Sequence, residues 1–185
     1  MILELIKSRR AVFPVQYNGD SISKEELDLI LECANWAPTH RRTEPWRFKV
    51  FYSEISRKNL SDFLSKKYTD VTPNFSKVKY QKIIDKPLQS GCVIAICFQR
   101  DPKESVPEWE EIAATSMAVQ NMWLAAHELG IGSYWSSHGM KDYLTEHIPL
   151  GASERCLGFF YMGKYDGPLQ EGIRASTIGE KTTWY

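Results

Sequence analysis

The side chains best suited to ligand chemistry are concentrated in one twelve-residue run, 37–48. The run contains two prolines, three arginines, a histidine and a tryptophan. Because proline fixes the local backbone and disfavours helix, the segment is predicted to be a rigid loop carrying cationic and aromatic groups. Another arginine pair, Arg9-Arg10, follows a short amphipathic stretch. These residue types suit an anionic, planar ligand such as flavin mononucleotide (FMN), whose phosphate binds guanidinium groups and whose ring contacts apolar side chains.

The chain lacks the motifs of self-contained catalytic sites. It has no dinucleotide fingerprint, no phosphate loop and no Gly-x-Ser-x-Gly elbow. Its four histidines lack ligand spacing and its four cysteines form no CxxC pair, so no metal site is predicted. Glu110 and Glu111 are adjacent and would point apart on a helix, which excludes a glycosidase pair. The chemistry is therefore expected to come from a cofactor that the protein binds and orients.

Length and charge narrow the class of protein. The 185 residues suit a single domain, 1–185, with a sizeable core. Basic and acidic residues number 23 each, which gives no long-range field for nucleic acid. No apolar run is long enough to span a membrane, and charged residues interrupt the N-terminal stretch where a signal peptide would be apolar. We expect a cytoplasmic protein that has neither nucleic acid nor a membrane as a partner.

The spacing of apolar residues predicts the helices and strands that must position these side chains. Ser23 and Glu26 form a capping box before a helix that ends by Pro38, and 107–129 is predicted to be the longest helix, apolar nearly all round. The continuous apolar run 92–98 indicates a central buried strand. The other predicted elements are helices at 2–9, 54–68 and 140–146 and strands at 47–52, 133–136 and 156–162. Helices and strands do not alternate regularly, so the predicted fold class is α+β.

Several features have two interpretations. The polar, basic stretch 69–87 is either a solvated segment with one short helix near 77–84 or a mobile lid. Arg9-Arg10 could complement the dipole of a helix C-terminus instead of binding a ligand. His127, in an apolar helix, is interpreted as a satisfied core residue, and Trp46 and Trp135 are either core or site residues. The cysteines, all in apolar stretches, are interpreted as reduced core residues: Cys33, Cys92, Cys97 and Cys156.

Four motifs resemble the nitroreductase family, in particular its compact single-domain branch. They lie at 8–11, 37–48, 120–133 and 161–164, in the order of the family and over nearly the whole chain. The resemblance implies a nitroreductase-like fold, with a central, mostly antiparallel sheet flanked by helices and a C-terminal tail exchanged onto a partner subunit. It also implies a homodimer with FMN at the subunit interface and NADH or NADPH as co-substrate.

The resemblance assigns FMN contacts to three groups of residues. Arg9 would bind the phosphate, with Arg174 in the Gly-rich tail as a second phosphate ligand. The backbone amides of 135–137 would face the isoalloxazine ring, where an amide near the central nitrogen supports the arrival of hydride. The loop at 36–40 would come from the partner subunit. The implied contacts are Arg9, Arg10, Ala11, Trp36, Pro38, Thr39, His40, Trp135, Ser136, Ser137 and Arg174.

The implied function is an FMN-dependent oxidoreductase. Hydride would pass from NAD(P)H through the flavin to an electron-poor acceptor, a nitroaromatic or quinone-like molecule, in a ping-pong cycle. No side chain needs to act as a general acid, so no catalytic residue is predicted. Two other functions remain open: a flavin-binding or flavin-sequestering protein with little turnover, and a related flavoenzyme such as an ene-type reductase or a dehydrogenase.

Two positions depart from the family pattern. Glu44 stands where many relatives have Gln or Asn, and a carboxylate cannot donate to a flavin carbonyl. Glu44 is therefore expected to pair with Arg42 or Arg47. Ser136 stands where compact relatives often carry an arginine, which removes a cation near the ring.

Overall fold

Five helices surround one four-stranded sheet in the computed structural model, which describes residues 1–185. The helices are α1 (Ile2–Ser8), α2 (Lys24–Asn35), α3 (Glu54–Val71), α4 (Lys77–Gln89) and α5 (Glu108–Glu128). The strands are β1 (Trp46–Phe51), β2 (Cys92–Gln99), β3 (Ile131–Ser136) and β4 (Glu154–Lys164). Short 3-10 segments lie at Pro14–Gln16, His40–Arg42, Gly139–Glu146 and Gly179–Lys181.

The sheet has the order β1-β2-β4-β3, and every neighbouring pair is antiparallel. The α+β prediction is therefore confirmed, and so is the central strand, since β2 is buried at every position except its last residue. The pairing of β2 with β4 shifts between Ile96 and Cys97, where a bulge leaves Ile96 opposite Gly158. Strand β3 lies at the edge of the sheet, so one side of its backbone is open to partners outside the sheet.

Each face of the sheet covers its own apolar cluster. On one face α2 and α5 pack through side chains such as Ile30 and Met122, which are fully buried. On the other face α3 contributes Leu60 and Leu64 to a second buried cluster. Both faces of the sheet are thus removed from water, which explains why β2 and the second half of β4 are apolar on both sides.

The predicted capping box opens α2 as expected. The Ser23 hydroxyl accepts from the Glu26 amide at 3.1 Å, and the Glu26 carboxylate accepts from the Ser23 amide at 2.8 Å. The helix ends at Asn35, three residues before Pro38. Trp46, one of the two tryptophans with an open interpretation, is only 7% exposed and belongs to the core.

Two predictions made from local patterns are wrong in detail. The short helix expected near 77–84 extends over the whole of α4, past Pro87, because Pro87 is buried and the chain packs along α3, where the Ser61 hydroxyl donates to the Ile84 carbonyl at 2.9 Å. Cys33 is exposed on α2 and is not a core residue, whereas the other three cysteines are buried. Cys33 follows the apolar stripe of α2 in sequence but lies off the face that meets the sheet.

A buried carboxylate fixes the entry into α5. Glu111 is fully buried, forms an ion pair with Arg100 and accepts from the Asp101 amide at 2.8 Å. Arg100 also donates to the Val106 carbonyl at 2.7 Å, so the loop between β2 and α5 closes around these groups. The sequence gives no hint of this role, because an acidic residue early in a helix is ordinarily exposed.

Replacing Glu111 by glutamine is expected to lower the free energy of unfolding by about 3 kcal/mol. The amide keeps the shape of the side chain but removes the charge that Arg100 faces in a buried setting. Chemical denaturation of both proteins measures the change. Glu108→Gln is the matched control: Glu108 is also paired with an arginine, Arg155, but at the surface, where such pairs contribute less than about 1 kcal/mol. Equal effects of the two substitutions would contradict the prediction.

Candidate functional site

The Arg9 guanidinium is held by an aromatic face. Its central carbon lies 4.5 Å from the centroid of the Trp123 ring, in a cation–π arrangement. The Trp123 indole N–H donates to the Arg10 carbonyl at 3.3 Å. The end of α1 is thereby fixed against the C-terminal half of α5. This placement orients the arginine side chains beside the C-terminal tail.

Three arginines meet here, and none of them forms an ion pair. Burial, and then the charges of Arg174 and Arg10, lower the pKa of Arg9 from its ordinary value. None of the three lies within 4.0 Å of an acidic side chain, and the Arg10 Nε donates to the Gln170 carbonyl of the tail at 3.0 Å. Arg10 and Arg174 line a cavity of about 680 Å³, whose lining also includes Glu4 and Glu171. The chemistry of this donor set suits an anion that accepts several N–H bonds, such as a phosphate.

His127 belongs to this cavity, so its interpretation as a satisfied core residue is wrong. The ring is partly exposed, lines the cavity, and has its Nε2 atom 3.0 Å from the Ser8 hydroxyl. Burial, followed by the charges of Arg9 and Arg10, lowers the pKa of His127. The spacing did contain a signal: Trp123 and His127 are four residues apart and therefore share one face of α5, the face that meets α1.

The segment 135–137 lies at the end of the edge strand β3. The Val12 amide donates to the Ser133 carbonyl at 3.1 Å, so the stretch that follows Arg9 and Arg10 runs beside β3, and Ala11 is exposed next to it. Five residue steps from Ile131 to Ser136 cover about 17 Å of strand. Trp135 is half-buried and packs on the core, and its indole Nε1 is buried without a hydrogen-bond partner. Ser136 is half-buried and Ser137 exposed.

The loop at 36–40 forms a second group of predicted residues. Trp36 is 79% exposed and Pro38 is exposed, whereas the Thr39 hydroxyl lies 3.1 Å from the Thr43 hydroxyl. The His40 Nδ1 atom lies 2.5 Å from the Glu110 carboxylate, which ties the loop to the first turn of α5.

Backbone strain marks the residues that directly follow this loop. Three non-glycine residues have positive φ, 50° at Arg41, 54° at Arg42 and 42° at Glu44. Such conformations persist only where neighbouring contacts hold them, and they are frequent at ligand sites. One such contact is the bond from the Arg41 guanidinium to the Ser105 carbonyl at 3.0 Å.

Within one chain, the arginine cluster and the 36–40 loop are far apart. His40 is attached at Glu110 and Arg9 at Trp123, and thirteen residues of α5 separate these anchors, which corresponds to about 20 Å of helix. Arg9, Arg10 and Arg174 are thus brought together, beside the start of β3. The residues of the 36–40 loop lie towards the opposite end of α5.

The expected ion pair of Glu44 is not formed. Glu44 forms no ion pair with Arg42, and Arg47 donates to the backbone carbonyl of Glu44 at 2.9 Å instead of to its carboxylate. The left-handed backbone at Glu44 is consistent with this bond to the main chain. Trp109, which opens α5 with Glu108, is 68% exposed. The structure contains no cluster of His, Cys, Asp and Glu able to hold a metal ion, and none of its helices combines the length and apolar character needed to cross a bilayer.

Comparisons of this chain with known proteins identify the same family. The model of the nitroreductase family matches residues 6–164. YfhC of Bacillus subtilis, named as a candidate NAD(P)H nitroreductase, is 31% identical over 137 residues, which are 74% of this chain and 69% of YfhC. The crystal structure of a nitroreductase-like family protein from Bacillus cereus has a TM-score of 0.81 at 29% identity and covers 100% of this chain and 96% of that one.

A further solved structure has a similar fold and a bound cofactor. It is a candidate nitroreductase from Desulfovibrio desulfuricans in complex with FMN, with a TM-score of 0.73, 24% identity and coverage of 100% of this chain and 96% of that chain. At this identity the likeness establishes the fold alone. The family model, by contrast, spans most of the sequence, and the antiparallel sheet flanked by helices has the architecture that the resemblance implied. The chain belongs to the nitroreductase family.

Proposed function

We propose that the protein is an FMN-dependent oxidoreductase, in which NADH or NADPH is the hydride donor and an electron-poor small molecule, such as a nitroaromatic or a quinone, is the acceptor. The observation that carries the proposal is the cluster of Arg9, Arg10 and Arg174, which form no ion pair, beside the edge strand β3. Support comes from the family, from relatives named as NAD(P)H nitroreductases and from the FMN complex of a protein with the same fold.

The residues present fit FMN. Guanidinium groups at the start of β3 match a phosphate monoester, because their N–H groups form charge-assisted bonds to its oxygens. At the other end of the strand, about 17 Å away, residues 135–137 lie at the edge of the sheet, where amides that are not paired with β4 can donate to a ring. Trp135 stands at this end with a buried, unpartnered indole N–H. The two ends of one strand thus provide donors for the two ends of an elongated ligand.

When bound, FMN supplies two-electron chemistry, accepting hydride from one molecule and releasing electrons to another. The residues of this chain would hold the phosphate through Arg9 and Arg174 and direct edge amides of 135–137 at the ring, where they favour negative charge. No side chain needs to act as a general acid, since solvent or the flavin can supply protons. The donor and the acceptor use one open site in turn, which gives a ping-pong cycle.

A homodimer completes this proposal, with one FMN-binding domain, 1–185, in each subunit. The loop at 36–40 lies about 20 Å along α5 from the arginine cluster of its own chain, whereas a second copy can bring its loop to that cluster. Exposed apolar side chains on α1, at the end of α2 and in the tail indicate a surface that associates. They include Ile2, Leu3, Ile6, Trp36, Trp184 and Tyr185.

The tail belongs to the dimer proposal. Residues after Tyr165 form no strand or α-helix, and Trp184 is 90% exposed, which favours a tail that packs on the partner subunit. A cytoplasmic location is also part of the proposal, since NADH and NADPH are supplied there.

The visible spectrum of the purified protein tests the function. After addition of FMN and removal of free flavin, we expect a yellow protein that bleaches when NADPH or NADH is added without oxygen, and recovers its colour on addition of menadione. Protein that stays yellow with both nucleotides would favour a flavin-sequestering role. Colourless protein that retains no FMN would overturn the proposal.

A further inference from the structure

A second cavity lies on the face of the sheet that α3 and α4 cover, and the arginine cluster has no part in it. The cavity measures about 310 Å³ and is bounded by α4 and by the residues that follow β3. This volume is several times the share of one water molecule in the liquid, about 30 Å³. The cavity therefore accommodates a small organic molecule. Its chemically distinctive lining residues are Lys79, Lys82, Lys86, His138, Ile83 and Met140.

The three lysines give this cavity an uncompensated positive charge. Lys79, Lys82 and Lys86 follow one another at spacings of three and four, so they share one face of α4. None of them forms an ion pair or a side-chain hydrogen bond, and no acidic residue lines the cavity. The lysines of α3 behave differently, since Lys66 pairs with Asp70 at 2.6 Å and Lys67 with Glu146 at 2.5 Å. Lys79 and Lys82 are thus unpaired cations in the lining of this cavity, whereas the Lys86 ammonium lies 5.3 Å from the centroid of the Tyr134 ring.

A buried imidazole adds a neutral polar group. His138 stacks on Phe159 with ring centroids 5.3 Å apart, and its Nδ1 atom is buried without a hydrogen-bond partner. Burial, and then the charges of Lys86 and Lys141, lower the pKa of His138 to about 4, so the ring is neutral at pH 7. A neutral ring offers one donor and one acceptor. A ligand atom that bonds Nδ1 would satisfy a group whose burial otherwise costs free energy.

The rest of the wall is apolar, and part of it directly follows the proposed flavin-binding segment in the chain. Ile83, Met140 and the ring of Tyr68 contribute to the lining. Cations at the mouth and an apolar wall behind them suit an apolar ring that carries an oxyanion group. His138 and Gly139 directly follow 135–137, the segment proposed to face the flavin ring. A molecule held in the cavity therefore contacts residues that are consecutive in the chain with this segment.

We propose that this cavity binds the oxyanion group of a redox substrate, with Lys79 and Lys82 as its cationic ligands. The inference rests on the proposed function only in that the bound molecule is a substrate of the flavin site. Two sources have this chemistry: the carboxylate of an aromatic electron acceptor and the 2′-phosphate of NADPH. The apolar wall favours the aromatic carboxylate.

Direct binding provides the first test and needs no turnover. The double variant Lys79→Gln/Lys82→Gln removes two exposed, unpaired charges, so its thermal unfolding should match that of the wild type. In calorimetric titrations of the full chain, 4-nitrobenzoate is expected to bind the double variant about tenfold more weakly, whereas the uncharged nitrobenzene should not distinguish the two. The matched control is Lys77→Gln, which removes a charge from the same helix at a position outside the cavity lining.

Turnover by the FMN-loaded protein identifies the source of the oxyanion. If the acceptor supplies it, the double variant raises KM for 4-nitrobenzoate and leaves KM for menadione unchanged. If the donor supplies it, KM rises for NADPH and not for NADH, with menadione as acceptor. Unchanged 4-nitrobenzoate binding together with unchanged KM values would overturn the inference. Failure of the proposed function is a separate result, seen as absent flavin binding or absent NAD(P)H oxidation in the wild type.

Discussion

Replacing Arg9 by glutamine is expected to weaken FMN binding about 100-fold. Loss of one charged partner from a buried, hydrogen-bonded contact typically costs about 2–5 kcal/mol, and about 3 kcal/mol corresponds to this factor. Arg9 is the arginine whose orientation is most strongly fixed, since its guanidinium group stacks on Trp123. It therefore loses little conformational freedom when it binds a phosphate. Titration of the flavin-free protein with FMN, followed by the quenching of flavin fluorescence, measures the affinity.

The fold should tolerate this substitution. The charges of Arg174 and Arg10 contribute to the lowered pKa of Arg9. The Arg9→Gln substitution therefore relieves charge repulsion, and this gain offsets the loss of the cation–π contact with Trp123. We expect similar unfolding temperatures for the two flavin-free proteins, and a larger stabilisation of the wild type by FMN or inorganic phosphate. Arg155→Gln is the control, because it removes an exposed arginine that pairs with Glu108 outside the cluster. Equal FMN affinities of the Arg9 and Arg155 variants would refute the phosphate assignment.

Local sequence patterns predicted most of the helices and strands, because the interactions that define these elements lie within a few residues. The Ser23–Glu26 capping box and the apolar run of β2 are complete within a few residues, and both are present as expected. Features that depend on distant partners were missed. Glu111 is buried because Arg100, eleven residues away, meets it, and α4 continues past Pro87 because α3 covers it.

The candidate site likewise has features that the local sequence predicted and features that depend on distant contacts. Types and spacing indicated the arginines and the 36–40 loop, but not which of them are neighbours. His127 lines the cavity, where it contacts Ser8, a residue 119 positions away in sequence. The expected ion pair of Glu44 is absent, and Arg47 bonds to the Glu44 main chain instead. The left-handed backbone at Glu44 could not be inferred from residue types, so the sequence did not predict this bond. Such juxtapositions require the tertiary structure.

Gly158 connects the stability of the sheet to the proposed flavin site. It lies on β4 opposite Ile96, at the bulge in the pairing with β2, and has φ of 151°. A β-carbon at this position would lie 2.3 Å from Trp135 Nε1 and 2.6 Å from the Ser136 carbonyl oxygen. Neither neighbour can move freely, because Trp135 packs on the core and Ser136 is paired within the sheet. The absence of a side chain at 158 is therefore what allows 135–136 to lie where they do.

Gly158→Ala is accordingly expected to lower the free energy of unfolding by about 3–4 kcal/mol, which combines overpacking with backbone strain and corresponds to a fall in Tm of about 10 °C. Because the displaced atoms belong to 135–136, FMN affinity should fall as well, even at temperatures where the variant remains folded. Gly139→Ala is the matched control for stability: its φ is not positive, and no atom lies within 4 Å of the added carbon, so the expected change is within about 1 kcal/mol. A Gly158 variant as stable as the Gly139 variant would contradict the packing argument. A destabilised variant with unchanged FMN affinity would instead show that 135–136 does not contact the flavin.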